Sequence, residues 1–309
     1  MHTNGERKML NTQENKVKIE GILSEIDLKY SSFKKNGADM KSVGGSIKVL
    51  VEQTLPTGEA QSLEIPVHMF ASEYTNKGGK NPAYESIERV MNDFVSIAAS
   101  DKETADRVRI TGAQIAMNEY YGKNGNFVSF PRIKASFVNK IGKTDCKPEA
   151  TFSIIFCVGE AGFECDKDGV EIPNRYKINA AVPQFGGSVD IVPFYACADG
   201  VINAVKTYWQ KGDTVKANGR LNFTSKTETS KVEVDFGEAQ EQTHTISVSE
   251  LIITGGSQTP LDGELAFDAS DIAEALKARQ AHLAELKAKS EDKGTSGKAP
   301  ASGFSDLGF

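Results

Sequence analysis

Residues 16–26 alternate apolar and polar, with Val17 and Ile19 on one side and Lys18 and Glu20 on the other, which predicts a β-strand. Residues 46–55 repeat the pattern through Ile47, Val49 and Val51, and residues 62–71 through Leu63, Ile65, Val67 and Met69. Pro66 interrupts the third strand, so an edge or a bulge is expected there. The period then changes. From Pro82 to Ala99 the apolar positions Ile87, Val90, Met91, Phe94, Val95 and Ala98 fall at helical steps, with Pro82 at a first helical position. Strand patterns return at 106–117 and 126–141, joined by a turn-rich segment at 120–126.

The second half repeats the plan. Strands are expected at 150–163, 175–182 and 188–198, a helix at 200–212, and strands at 213–225 and 242–256. After each helix the spacing D-x-V-x-x-x-G recurs, as Asp106 to Gly112 and as Asp213 to Gly219, so two copies of one unit are expected. Residues 268–289 are rich in Ala, Leu, Glu and Lys, with Asp268 or Ser270 available as N-cap. They predict a helix with a thin stripe of Ile272, Leu276, Leu283 and Leu286. The expected domains are a polar leader (1–15), a first unit (16–147), a second unit (148–258), a C-terminal helix (259–290) and a flexible linker with a terminal tip (291–309).

Charge changes the picture more than composition does. The chain has 309 residues and a formal net charge of -6, which on its own speaks against a polyanion ligand. The average hides a gradient. Residues 1–147 carry 21 Lys and Arg against 18 Asp and Glu, residues 148–258 carry 9 against 15, and residues 259–309 carry 6 against 9. A polyanion would therefore be sought on the first unit. No apolar run approaches bilayer-spanning length, and the polar N-terminus lacks the apolar core of a signal peptide, so a cytoplasmic, non-membrane protein is expected.

Four cysteines without a CxxC and four unclustered histidines give no zinc site, and Cys157 and Cys197 read as buried thiols. No nucleophile–base set, phosphate loop or calcium loop can be assembled; Asp168-Gly169 reads as a hairpin turn. No enzyme activity, cofactor or metal is expected.

Five strands with one helix after the third is the order of the OB-fold, a Greek-key barrel that binds oligonucleotides or oligosaccharides. The expected class is all-β dominated: two OB-fold five-stranded barrels, a C-terminal helix and a flexible tail. The run Pro193 to Leu221, containing Lys211-Gly-Asp-Thr-Val-Lys-Ala-Asn-Gly-Arg-Leu221, resembles the bacterial and phage single-stranded DNA-binding protein family. The opening strand at 15–23 and the segment 106–114 resemble it more loosely, and the C-terminal Phe304 to Phe309 is similar to that family's partner-docking tip. Two barrels in one chain would make this a tandem variant.

The resemblance implies binding and protection of single-stranded DNA without strong sequence preference, in replication, recombination or repair. It also implies recruitment of partner proteins through Phe304, Asp306, Leu307 and Phe309. The preference for DNA over RNA comes from the resemblance alone. Base stacking on aromatics beside backbone-tracking cations is the chemistry such binding needs. Candidates are Tyr30, Phe33, Lys34 and Lys35 in the loop after strand one, Lys48 on strand two, and Phe70, Tyr74 and Lys77 after strand three. Tyr120, Tyr121, Lys123 and Phe127 sit at the strand four–five hairpin, and Phe130, Arg132 and Lys134 share one face of strand five, opposite Ile133, Ala135 and Phe137. His68 is on the outward phase of strand three, and Trp209 is read as core. The acidic second half also fits an interaction adaptor that keeps the barrel but has lost DNA binding. Two barrels per chain fit either half of a homo-oligomer or a self-sufficient monomer.

Overall fold

The computed structural model describes Leu10 and residues 13–35, 37–55, 57–122, 124–232 and 240–295, with backbone alone at 225–232, 240–246 and 292–295. Lys123 and the tip residues Phe304, Asp306, Leu307 and Phe309 lie outside the described residues, as do residues 1–9 and 11–12 of the leader.

The chain forms β1 (Asn15–Lys35), β2 (Ala38–Thr54), β3 (Ala60–Ser72), α1 (Pro82–Asp93), β4 (Arg107–Tyr121), β5 (Phe127–Lys134) and β6 (Asn139–Ile141). There follow β7 (Glu149–Cys165), β8 (Glu171–Pro183), β9 (Val189–Ala196), α2 (Asp199–Tyr208), β10 (Thr214–Val232), β11 (Gln240–Gly256) and α3 (Ala269–Thr295). The β-dominated class is as expected. Strand pairing runs β1–β2–β3–β5–β4 and closes through a β1–β4 ladder; β7–β8–β9–β11–β10 closes the same way through β10–β7. In each circuit the third and fifth strands are parallel, at Val67↔Ile133 and at Ala196↔Ile253. The parallel contact follows from the helix between the third and fourth strands, since a parallel pair needs a long crossover. An antiparallel β1–β7 ladder, Asn15↔Ile154 to Glu20↔Glu149, joins the two circuits.

The alternation read from sequence sets what faces inward. Val17, Ile19, Val49, Leu63, Ile65, Val67, Ile110, Ile115 and Ile133 are wholly buried, and Phe156, Phe194 and Phe223 fill the second circuit. Each such side chain contributes on the order of 1.5 to 3 kcal/mol relative to exposure. The apolar interiors form one contiguous cluster across both circuits. Trp209 is core as expected, edge-on to Phe156 at 5.8 Å with its indole N–H donating to the Ser257 carbonyl at 2.7 Å. Cys157 is buried, and all four cysteines are free.

Several expectations need correction. The segment read as a loop at Tyr30 to Lys35 is strand: β1 and β2 stay in register from Tyr30↔Val43 to Lys35↔Ala38, turning at Gly37 with φ 82°. Antiparallel backbone pairing holds this ladder although its side chains do not alternate. The first helix stops at Asp93, where the Asp106 carboxylate accepts the Val95 N–H at 2.8 Å and draws the chain into an extended path. The fifth strand ends at Lys134, so Phe137 escapes the inward phase and is exposed. The C-terminal helix begins at Ala269, with the Asp268 carboxylate accepting the Ser270 N–H at 2.7 Å. Its Ile272 and Ala275 are buried against Cys157, Ala181 and Val189.

Candidate nucleic-acid interface

One group of exposed aromatics gathers where the β1–β2 hairpin meets the end of β3. Phe33 pairs across with Met40, Tyr30 with Val43, and on the other side of β2 Gly44 pairs with Phe70. A Cβ on Gly44 would lie 3.0 Å from the Phe70 ring, so the glycine leaves room for that ring to lie over the strand. The Phe33 and Phe70 rings are 6.2 Å apart and tilted. Tyr30 is 54% exposed, Phe70 45% and Tyr74 41%.

The loop after β3 folds back to bring cations here. The Lys41 carbonyl accepts the Glu73 N–H at 2.9 Å, Tyr74 bridges to Lys80, and Lys35 Nζ donates to Asn76 Oδ1 at 2.6 Å. Lys34, Lys35, Lys41, Lys77 and Lys80 are all exposed. Lys41 and Lys80 carried no sequence signal, because each stands alone, away from an aromatic neighbour; pairing alone reveals where they sit.

A second group occupies the β4–β5 hairpin. Tyr121 and Phe127 pair in register with ring centroids 5.2 Å apart, beside exposed Tyr120 and Phe130. The turn is closed by Gly122 and Asn126 at 2.9 Å, with Gly125 at φ 75°.

Between the two groups run the outward residues of β3 and β5. Pro131, Ile133 and Ala135 point inward, leaving Phe130, Arg132 and Lys134 on the outer face, where His68 is in register with Lys134. Counting along the strands from Phe130 to Lys134 and from His68 to Phe70 separates the groups by on the order of 20 Å.

The expected basic stripe is on the predicted face but is not open. Arg132, Lys134 and His68 are half-buried where the second half packs against the first circuit, with β10 against β3, β11 against β5, and β9 and α3 against β4. Asp190 of β9 accepts the Met117 N–H at 2.8 Å, and Arg279 of α3 pairs with Glu119 of β4. Arg132 donates to Asn118 Oδ1 at 3.3 Å. Burial, reinforced by Arg132, pushes the Lys134 ammonium down to about 8. Burial also lowers His68, with Arg132 and Lys134 adding to the effect, and raises Asp190. Lys48 is held by Glu25 at 2.6 Å and Glu64 at 3.9 Å, which raises its pKa, chiefly through the Glu25 hydrogen bond, and leaves no surplus positive charge there.

The second circuit offers a different surface at the matching place. Where the first brings His68 beside Lys134, the second brings Tyr195 beside Ile252. Arg175 lies over the Tyr195 ring at 4.7 Å and is clamped between Glu164 at 2.6 Å and Glu250 at 2.7 Å. Among the described residues no group of His, Cys, Asp and Glu could hold a metal ion, and no helix is long and apolar enough to cross a membrane.

The family model described as YorF matches residues 13–289. The chain belongs to the YorF family. No curated protein matches this YorF-family chain in sequence. Among solved structures it is similar to the wild-type single-stranded DNA binding protein from Thermus aquaticus, at 10% identity and a TM-score of 0.48, over 84% of this chain and 98% of that one. A deletion mutant of the same Thermus protein gives 12% identity and a TM-score of 0.47, over 82% of this chain and 97% of that one.

Proposed function

We propose that this protein binds single-stranded DNA without strong sequence preference, as a non-enzymatic protein built from two OB-fold barrels. The observation that carries the reading is the gathering of aromatics beside lysines on the first circuit: exposed Phe70, Tyr30 and Tyr74 with half-buried Phe33, beside Lys34, Lys35, Lys41, Lys77 and Lys80. Unpaired bases stack on such rings whatever their identity, and the lysines track the backbone. Tyr120, Tyr121, Phe127 and Phe130 extend the same strand path. The loops and the β2–β3 face are also where an OB barrel takes its ligand. Partner recruitment in replication or recombination through Phe304, Asp306, Leu307 and Phe309 belongs to the same proposal.

A second reading applies to the second circuit. Arg175 is consumed by two carboxylates, so this face fits a protein-facing adaptor role better than phosphate contact.

The experiment is fluorescence anisotropy of a labelled oligo-dT strand across a salt series, with matched duplex as competitor. Contact of the five exposed lysines with about three or four phosphates predicts a log–log salt slope of about -2 to -3. Equal competition by duplex, or no binding at low salt, overturns the reading.

A further inference from the structure

We propose that the β8–β9 hairpin docks on a second copy of this chain: Phe185 of one copy seats in the apolar groove between α2 and the end of β11 of the next, so that copies held on one strand line up head to tail. The alignment along a strand rests on the single-strand reading above; the contact between copies does not.

Phe185 stands apart from the other surface aromatics. It is 92% exposed, the highest value of any large apolar side chain among the described residues. Lone exposed apolar residues are ordinary on a protein surface, but a loose loop can fold such a ring back. This turn is fixed. The Gln184 N–H donates to the Ser188 carbonyl at 2.8 Å and the Gly187 N–H to the Gln184 carbonyl at 3.3 Å. Gly186 and Gly187 have φ of 91° and 86°, a conformation glycine takes without strain. The Gln184 side chain ties the turn to the first circuit by donating to the Ile115 carbonyl at 3.3 Å.

The groove is the counterpart. It is lined by Ala204 and Tyr208 of α2, by Trp209, and by Ile253, Gly255 and Gly256 of β11, and holds about 210 Å³. A cavity of about 150 Å³ is enough for a benzene ring. Glycine makes the space: a Cβ on Gly255 would meet nothing within 4 Å, and a Cβ on Gly256 would come within 2.6 Å of the Trp209 ring. No residue lining the groove is charged, and none of residues 183–189 is. Between copies of net charge -6, these are surfaces that meet without adding to the repulsion.

Placement sets the arrangement. The hairpin precedes β9, and the groove lies beside the end of β9, because α2 follows that strand and β11 runs parallel to it with Ile253 next to Ala196. Eight residues of β9 at about 3.3 Å each put the ring and the groove on the order of 25 Å apart, at opposite ends of the second circuit. A projection at one end and its socket at the other can repeat from copy to copy. One Phe ring buries about 150 to 250 Å², far below the roughly 1,000 Å² of a stable interface. Free copies therefore stay apart at micromolar concentration. The contact acts where a bound strand holds neighbours at a millimolar effective concentration.

The test is anisotropy on a short oligo-dT that takes one copy and on one about four times as long, with sedimentation velocity of the free full chain up to millimolar concentration. The variants are Phe185→Ser and Ala204→Arg, with Gly255→Val as a second groove variant should Ala204→Arg fold poorly. The unsubstituted chain should bind the long strand about tenfold more tightly per copy than the short one. Each variant should lose that factor and keep its short-strand affinity within about twofold. Self-association of the free chain should vanish in each variant. An equimolar mixture of the two should recover pairs that stop at two copies, because only one intact ring and one intact groove remain between them. Equal affinity per copy on both strands, with no self-association of the free chain, overturns the inference and leaves the single-strand reading intact. Loss in one variant without the other, or a mixture that recovers nothing, overturns it too, because ring and groove are then not partners. An unsubstituted chain that stops at a closed dimer overturns the head-to-tail arrangement. No binding to either strand removes the single-strand reading, and sedimentation of the variants alone then decides the contact.

Discussion

Truncation of the Phe33–Phe70 pair tests whether the first aromatic group stacks on bases or is only surface. A base stacked on an aromatic ring is worth about 1 to 3 kcal/mol, so Phe70→Ala should weaken oligo-dT binding by a factor of about 5 to 150. The folding cost is separable. Phe70 is 45% exposed, so truncation forfeits about half of what a buried Phe loses, on the order of 2 kcal/mol, visible as a modest drop in Tm. Phe33→Ala should act on binding in the same direction. With ring centroids 6.2 Å apart, the two rings share one stack, so the double variant should lose less than the sum of the singles. Anisotropy on the two singles and the double, each with a thermal melt, makes a complete cycle. Dissociation constants within twofold of the unsubstituted protein for both singles would refute the stacking role. Strict additivity would refute the shared stack.

Three further outcomes follow from the fold. Glu20 is buried and accepts from Arg109 at 2.7 and 3.0 Å and from the Lys147 N–H at 2.6 Å, chiefly the Arg109 bonds lowering its pKa. A depressed carboxyl stabilises above its unfolded pKa and loses that contribution as pH falls through the folded value, so denaturation midpoints should drop below about pH 4. Glu20→Gln should cost about 1 to 3 kcal/mol at neutral pH and flatten that acid dependence. Gly219→Ala would place a Cβ 2.2 Å from the Ile252 carbonyl oxygen and 2.3 Å from the Phe152 ring, and a loss of about 1 to 3 kcal/mol or more is expected by urea titration. Ile272→Ala removes the buried anchor of α3 and should cost about 2 to 5 kcal/mol locally, read as faster proteolysis within 269–291 while the two strand circuits stay protected.

Alternation made most of the strand pairing legible. Leu63, Ile65, Val67 and Met69 announced their inward phase, and the order of five strands with an intervening helix announced the closed pairing. Pro66 was tolerated because parallel pairing to β5 starts one residue later, at Val67. Phase along a strand reports only which side faces the barrel interior. It correctly put Arg132 and Lys134 outside, and it could not report that the second half would pack against this side of the first circuit, since β9, β10, β11 and α3 come from distant parts of the chain. The Tyr30 to Lys35 ladder was hidden for a different reason. Its register is held by backbone hydrogen bonds between polar segments, which leave no periodic trace. The lysine cluster of the first group depends on the fold-back of residues 73–81, a loop geometry fixed by backbone contacts to β2.

The most direct measurement is ultraviolet crosslinking of oligo-dT to the full chain, with the crosslinked peptides mapped by mass spectrometry. Crosslinks within 30–41, 66–80 and 118–134, with 150–224 largely free of them, are what the account predicts. Crosslinks concentrated on the second circuit around Tyr195 and Arg175, with the Phe33–Phe70 and Tyr121–Phe127 groups untouched, would contradict it.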